Sequence, residues 1–353
     1  MICCEIIISR QKYKKGVPIL TIKDLSAQTG YSVGTISRVL NNQPNVSQKA
    51  RETILRAANE CGFQLNANAK QLKQQHGNSI LVLVKGRHNE LFGSLVESIQ
   101  EHIAEKYPLI VEYMDESENE VLKALKLCRE KKPLGVLFLG GDRENFLADF
   151  DKVNMPGVLV TCDASNLPFA NLSSVSSDDI LAGRTAIEHL ISLGHRKIAI
   201  IGGPRIFSSM TQERYRGCVE AFREYGVDFD EELDYESTRF SLDWGYKAAR
   251  QLLEKNRGYT AIFAMADVMA IGAIRALQDA GLRVPEDVSV VGLDGLTIGA
   301  YTVPRLTTIA QDVEALAERS VRILLDNIEN QGTAHYEIVP VSLVDRESAK
   351  KLN

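Results

Sequence analysis

From Ser79 onward, short apolar runs of β type alternate with amphipathic helical stretches, and this happens twice. The first round reads SILVLV (79–84), a helix over 91–106, LIVEYM (109–114), a helix over 118–131, GVLFLG (135–140) and GVLVTC (157–162). The second reads a helix over 179–193, KIAIIGG (197–203), a helix over 209–225, a strand near 232–236, a helix over 242–255, AIFAM (261–265), a helix over 267–280 and VSVVGL (288–293). Short continuous apolar strands separated by helices imply parallel sheets covered by helices on both faces. Two rounds imply two similar α/β lobes. A helix over 312–328 and a strand over 336–344 then cross back. The expected partition is lobe 1 at 79–177 and 311–331, lobe 2 at 178–310 and 332–346, and a tail at 349–353.

The preceding residues follow a different pattern. Thr21 has the chemistry to cap a helix beginning at Ile22, with Asp24 at the capping-box spacing, and Thr29-Gly30 ends it. Ser32 caps a second helix, Val33 to Leu40, which stops at Asn41-Asn42 and Pro44. Ser47 caps a third, with Ala50, Ile54, Leu55, Ala57 and Ala58 at helical spacing and Cys61-Gly62 at its end. Ile22, Leu25, Ala27, Ile36, Val39 and Leu40 supply an apolar seam for the first pair. Residues 21–62 therefore read as a helix-turn-helix unit, a form that places its second helix in the DNA major groove. Residues 63–78, FQLNANAKQLKQQHGN, read as a linker with a short helix that Asn66 can cap; residues 1–20 read as a disordered extension.

Charge separates the same regions. Residues 1–76 hold 11 Lys and Arg against 4 Asp and Glu, while the remainder holds 30 against 42. A basic head on an acidic body suits a module that meets phosphate, joined to a body that need not. The six cysteines, Cys3, Cys4, Cys61, Cys128, Cys162 and Cys218, have neither metal-ligand spacing nor a disulfide-framework density, which reads as reduced thiols in the cytoplasm. The run ICCEIIIS is too short to span a membrane and lacks the basic flank of a signal peptide. There is no GxGxxG after a strand, no P-loop, no HExxH and no GxSxG, so no enzyme class, metal or cofactor is indicated. His195 in LGHRK reads as a structural residue between helix and strand.

The order of motifs carries a resemblance. TIKDLSAQTGYSVGTISRVLNN, PNVSQKARETILRAANECGF and LNANAKQL are followed by IEHLISLGHRKIAIIGGP, ERYRGCVEAF, AIFAMADVMAIGAIRALQDAGLRVPEDVSVVGLD, PRLTTIAQD and LVDRES. From Thr21 to about Ser348 the chain resembles a LacI/GalR-family transcriptional regulator. The resemblance implies an N-terminal all-α helix-turn-helix head on a periplasmic-binding-protein-like α/β body of two Rossmann-like lobes. It implies a homodimer on double-stranded, pseudo-palindromic operator DNA. It also implies a repressor controlled by a small effector, a sugar or sugar derivative, between the lobes. A solute-binding protein without a regulatory role is the alternative, and the head argues against it.

On this reading Val33 and Gly34, the first two residues after the Ser32 cap, face bases. Val33 suits a thymine methyl, whereas Gly34 permits close approach without reading an edge. Arg38 suits bidentate pairing with guanine. Thr21, Thr35, Ser37, Asn41, Ser47 and Ser32 itself have the chemistry for phosphate contacts. The linker matches the family's hinge helix, with Asn66 and Ala69 in it and Leu72 as the wedge that parts a base step. Leu65 stands where the family commonly has proline. Ligands bind α/β sheets beyond the carboxyl ends of the strands, which points to Asn89 and Phe92 on lobe 1 and to Phe207, Arg214, Phe240, Asp267 and Asp294 on lobe 2. Arg214 and Asp267 match the family's usual pair for polyol hydroxyls. Asp178 and Gln311 lie at the expected lobe crossings. Ala266 replaces the family's Asn, Gly295 the second Asp of its GFDD-like turn, and NELF (89–92) its NPFF loop. These departures imply a shifted effector preference.

Overall fold

The computed structural model describes residues 22–40, 46–60, 77–86, 89–103, 106–204 and 209–352. Thr21, Asn41, Asn66, Ala69, Leu72, Phe207 and the extension 1–20 lie outside them. The chain divides into two units, 1–74 and 75–353.

The first unit holds α1 (Ile22–Thr29), α2 (Val33–Leu40) and α3 (Gln48–Glu60). Leu25, Ile36, Val39, Ile54 and Ala58 form its core, with Tyr31, Leu40, Val46 and Ala57 packed against it. Gly30 sits at φ +74°, and its N–H donates to Ser26 O, closing α1 with a left-handed residue that glycine adopts without a Cβ penalty. Ala27 and Leu55, placed on the apolar faces by spacing alone, are exposed. A core this small leaves part of each apolar stripe uncovered.

The second unit contains two six-stranded sheets. Their strands are β1 (Ile80–Lys85), β2 (Leu109–Met114), β3 (Gly135–Leu139), β4 (Gly157–Val160), β5 (Leu172–Ser177), β6 (Ile198–Gly202), β7 (Tyr235–Ser237), β8 (Ala261–Ala264), β9 (Ser289–Asp294), β10 (Thr307–Ala310), β11 (Tyr336–Val339) and β12 (Ser342–Val344). Between them run α4 (Glu90–Ile103), α5 (Glu120–Lys131), α6 (Arg143–Asp149), α7 (Asp179–Ser192), α8 (Ser209–Glu224), α9 (Glu231–Asp234), α10 (Leu242–Glu254), α11 (Asp267–Asp279) and α12 (Val313–Asn330). The orders are β11-β5-β4-β3-β1-β2 and β12-β10-β9-β8-β6-β7. Every pairing is parallel except β10 with β12. The central strands are buried on both faces. On β1, Ile80, Val82 and Val84 join one core and Leu81 and Leu83 another, which explains the uninterrupted apolar run.

The chain passes between the sheets three times, after β5, after β10 and after β11. The third passage corrects the expected strand over 336–344 and the assignment of 332–346 to lobe 2. Tyr336–Val339 pairs with β5 in the first sheet, and only Ser342–Val344 joins the second. Pro340 stands between them, without an N–H to continue a ladder. β5, LSSVSS, carries no apolar run to mark it as a strand, because four of its six residues are serines. All six are buried. Ser173 Oγ accepts from Asn327 Nδ2 (3.1 Å) and the His335 N–H (3.0 Å), and Ser174 Oγ accepts from the Ala164 N–H (2.9 Å). Satisfied hydroxyls make a polar strand tolerable inside. His195 has the structural part expected of it: Nδ1 lies 3.0 Å from Thr260 Oγ1 and Nε2 lies 3.1 Å from Lys350 O.

Candidate functional site

Within the second unit a cavity of about 240 Å³ opens at the carboxyl ends of strands from both sheets. Asn89, Phe92 and Thr161 line it from the first lobe; Arg214, Phe240 and Asp294 line it from the second. Asn89 also starts α4, accepting the Leu91 N–H at 3.1 Å. Phe92 lies over Gly140, where an added Cβ would come within 3.0 Å of the ring.

Arg214 is carried on α8 and is 2% exposed. Nε donates to Asp179 Oδ1 at 2.7 Å and Nη1 donates to Met265 O at 2.8 Å. The α7–α8 approach that places it there needs glycine. A Cβ on Gly183 would lie 2.0 Å from Arg214 O, and one on Gly217 would lie 2.0 Å from Ile180 O. Burial pushes the Asp179 carboxyl up to about 6, although the Arg214 guanidinium works against that rise.

Asp294 ends β9 with φ +130°, a conformation that costs a non-glycine residue of order 1–3 kcal/mol. Its Oδ1 accepts from Gln311 Nε2 at 2.8 Å, and Gln311 Oε1 accepts from Ser177 Oγ at 2.7 Å. The carboxyl is thus tied to two of the three lobe crossings. Burial raises it to about 7; Arg214 pulls it down and neighbouring Asp267 adds to the rise. Asp178, the other crossing residue singled out, caps α7 by accepting the Leu181 N–H at 2.9 Å.

The expected pairing of Arg214 with Asp267 requires correction. Asp267 is fully buried and does not line the cavity. Its Oδ1 accepts from Thr308 Oγ1 (2.6 Å) and its Oδ2 from the Leu296 N–H (2.7 Å). Gly292 leaves room for it, since a Cβ there would lie 2.2 Å from Oδ1. Asp267 therefore ties α11 to β10 and to the loop that presents Asp294. The carboxylate facing the cavity beside Arg214 is Asp294.

Sequence reasoning missed Thr161 and Lys85. Thr161 follows β4 at φ +74°, is buried on the cavity wall, and its hydroxyl has no hydrogen-bond partner among the described residues. The same strand-end rule that found Asn89 would have found it. Lys85, at the end of β1, also lines the cavity and pairs with the buried Glu120 at 2.6 Å.

In the first unit, Ser32 Oγ accepts the Thr35 N–H at 3.2 Å and lies 3.0 Å from Thr35 Oγ1, so the cap of α2 is formed. Ser47 Oγ accepts the Ala50 N–H at 3.4 Å and caps α3. Val33, Gly34 and Arg38 are exposed on α2, with Thr35 and Ser37 half-buried. Positions 34 and 38 are one turn apart, and Ile36 and Val39 face the core. Among the described residues nothing requires glycine at 34: an added Cβ would meet only Ser32 Oγ, at 3.9 Å.

Residues 21–66 match the sequence model of bacterial regulatory proteins of the lacI family, and residues 187–349 match that of a periplasmic binding protein-like domain. The chain is 33% identical over 333 residues to the HTH-type transcriptional regulator MalR of Clostridium butyricum, covering 93% of this chain and 99% of that one. The chain belongs to the LacI family. Another relative, the HTH-type transcriptional regulator DegA of Bacillus subtilis (strain 168), is 33% identical over 341 residues, covering 94% and 99% of the two chains. The structure of the lac repressor dimer bound to operator and the anti-inducer ONPF superposes with a TM-score of 0.73 at 28% identity, over 94% of this chain and all of that one. This LacI-family chain is accordingly a DNA-binding transcriptional regulator, as its relatives are. Among the described residues no helix is long and apolar enough to cross a membrane.

Proposed function

We propose that this LacI-family regulator is a cytoplasmic repressor whose operator affinity is set by a small polyhydroxylated effector, a sugar or sugar derivative, in the cavity between its lobes. One observation carries this reading. Arg214 and Asp294, both more than nine-tenths buried, line the same small cavity opposite Asn89 and Phe92. A guanidinium and a carboxylate side by side suit adjacent hydroxyls, which accept from one and donate to the other through charge-assisted bonds. Phe92 and Phe240 supply apolar walls for the carbon skeleton. The transcriptional regulator CelR, with a TM-score of 0.69, was solved with cellobiose.

The heads would act in pairs, one per subunit of a dimer on a pseudo-palindromic site. Arg38 would read guanine, Val33 a thymine methyl, and Gly34 would admit the groove edge closely. Thr21, Ser32, Thr35, Ser37, Asn41 and Ser47 would hold phosphates, and Asn66, Ala69 and Leu72 would form the hinge. A ligand touching both lobes alters their angle about the crossings, and with it the spacing of the paired heads. Linkage then couples effector and operator reciprocally, typically by about 1–3 kcal/mol.

The test is a thermal-shift screen of the full chain against sugars, sugar phosphates, nucleosides and purines, followed by an operator mobility shift with each compound that raises the midpoint. A sugar that raises the midpoint and changes operator affinity is expected. A hit confined to non-carbohydrates would refute the effector class, and failure to retain any palindromic DNA would refute the repressor reading.

A further inference from the structure

We infer that the effector is a carbohydrate of at least two rings, one inside the cavity and the next held between Tyr113 and Trp244 at its mouth. This rests on the carbohydrate reading above and extends it. At about 240 Å³ the inner cavity falls below the roughly 300–1,000 Å³ of sites that enclose drug-sized ligands, so a single ring suits it. It does not end there. Asn89 and Val268 are walls of both the inner cavity and a second, more open space of about 720 Å³.

That outer space carries an aromatic residue from each lobe. Tyr113, next to the end of β2 in the first lobe, is 44% exposed, and Trp244, in the first turn of α10 in the second, is 39% exposed. Both rings are thus partly open to the groove. Two large aromatics flank one groove from opposite lobes. The indole is steadied by Lys247, whose Nζ lies 4.3 Å from its centroid, and by Arg239, whose Cζ lies 5.7 Å away. Glu90, Asp243 and Ser241 supply polar groups around it. Aromatic ring edges beside hydrogen-bonding side chains on one groove match a pyranose, whose C–H face is apolar and whose edge carries hydroxyls.

The chain contains a single tryptophan, so its emission reports directly on the outer position. The experiment titrates the full chain with disaccharides (maltose, cellobiose, lactose, sucrose, trehalose, melibiose) and with their component monosaccharides, following tryptophan emission and thermal midpoint together. At least one disaccharide should shift the emission and bind about tenfold more tightly than its monosaccharides. Trp244→Ala, at an exposed position, should remove that advantage and leave monosaccharide affinity unchanged; Tyr113→Ala should weaken disaccharide binding in the same selective way. Monosaccharides that raise the midpoint as much as every disaccharide, without moving the emission, would overturn the two-ring inference and leave the carbohydrate reading standing. So would a Trp244→Ala variant that keeps the full disaccharide preference. Failure of every sugar of either size to bind would overturn both.

Discussion

Arg214 is the residue whose removal separates structural from ligand-binding roles most cleanly. In Arg214→Met, Asp179 keeps its burial and loses the guanidinium that donates to it at 2.7 Å. Breaking a buried pair from one side typically costs about 3–5 kcal/mol. At roughly 2–4 °C per kcal/mol for a body of this size, the midpoint at pH 8 should fall by on the order of 10 °C. The pH dependence is diagnostic. Asp179 already titrates at about 6 in the native chain, above its ordinary 3.8, so its favourable contribution is present at low pH and lost as pH rises through 6. Without Arg214 the folded value moves higher still, and the loss extends toward neutral pH and beyond. At pH 5 Asp179 is largely protonated in both proteins, so the gap between variant and native midpoints should shrink. Arg214→Met/Asp179→Asn removes the Asp179 charge with the guanidinium and should recover part of the stability at pH 8, Asp294 still lacking the cation that pulls it down, while the effector-induced midpoint shift stays absent. Thermal denaturation at the two pH values, with and without effector, reads all of this. A single variant that melts like the native chain at pH 8 would refute the buried-pair reasoning. A double variant that responds normally to effector would remove Arg214 from the ligand site.

Four further outcomes are expected. Gly183→Ala brings a methyl to 2.0 Å from Arg214 O, so α8 must retreat by more than 1 Å to reach ordinary contact; a midpoint loss reflecting about 1–3 kcal/mol and weakened effector binding should appear together in thermal-shift titrations. Asp294 titrates near 7, and hydroxyl donors prefer its ionised form, so calorimetric effector affinity should climb from pH 6 to pH 8 and flatten in Asp294→Asn; a flat native profile would contradict this. Asp267→Ala strips acceptors from Thr308 Oγ1 and the Leu296 N–H, and should destabilise the chain by about 1–3 kcal/mol or more, seen as a lower melting point even without ligand. Arg38→Ala should reduce affinity for a specific operator by about 1–3 kcal/mol and affect random-sequence DNA much less, as measured by mobility shift.

Much of this molecule was legible before its structure. The strand runs are apolar on both faces because parallel sheets are covered on both sides, and that pattern survives without any coordinates. Helix starts were legible where Ser32 or Ser47 could satisfy a first-turn N–H. The strand-end rule brought Asn89, Phe92, Arg214, Phe240 and Asp294 to one cavity, although these residues span some two hundred positions of sequence. What failed had a common cause. β5 is polar in composition and buried in fact, and β11 and β12 look continuous until Pro340 assigns them to different sheets.

Asp267 and Asp294 show where sequence stops and tertiary structure begins. Both follow or end a strand of the second sheet, and both are carboxylates near Arg214 in the expected fold. That two α/β lobes follow a basic helix-turn-helix head is written in hydrophobic period, capping residues and charge, all of them local properties. Which carboxylate faces the cavity was decided only by packing. Thr308 and the Leu296 N–H, about 30–40 residues away, occupy both oxygens of Asp267, while the positive φ of Asp294 turns it toward the opening. Long-range hydrogen bonds of that kind depend on how β10 and the loop after β9 come together, and no window of the sequence contains them.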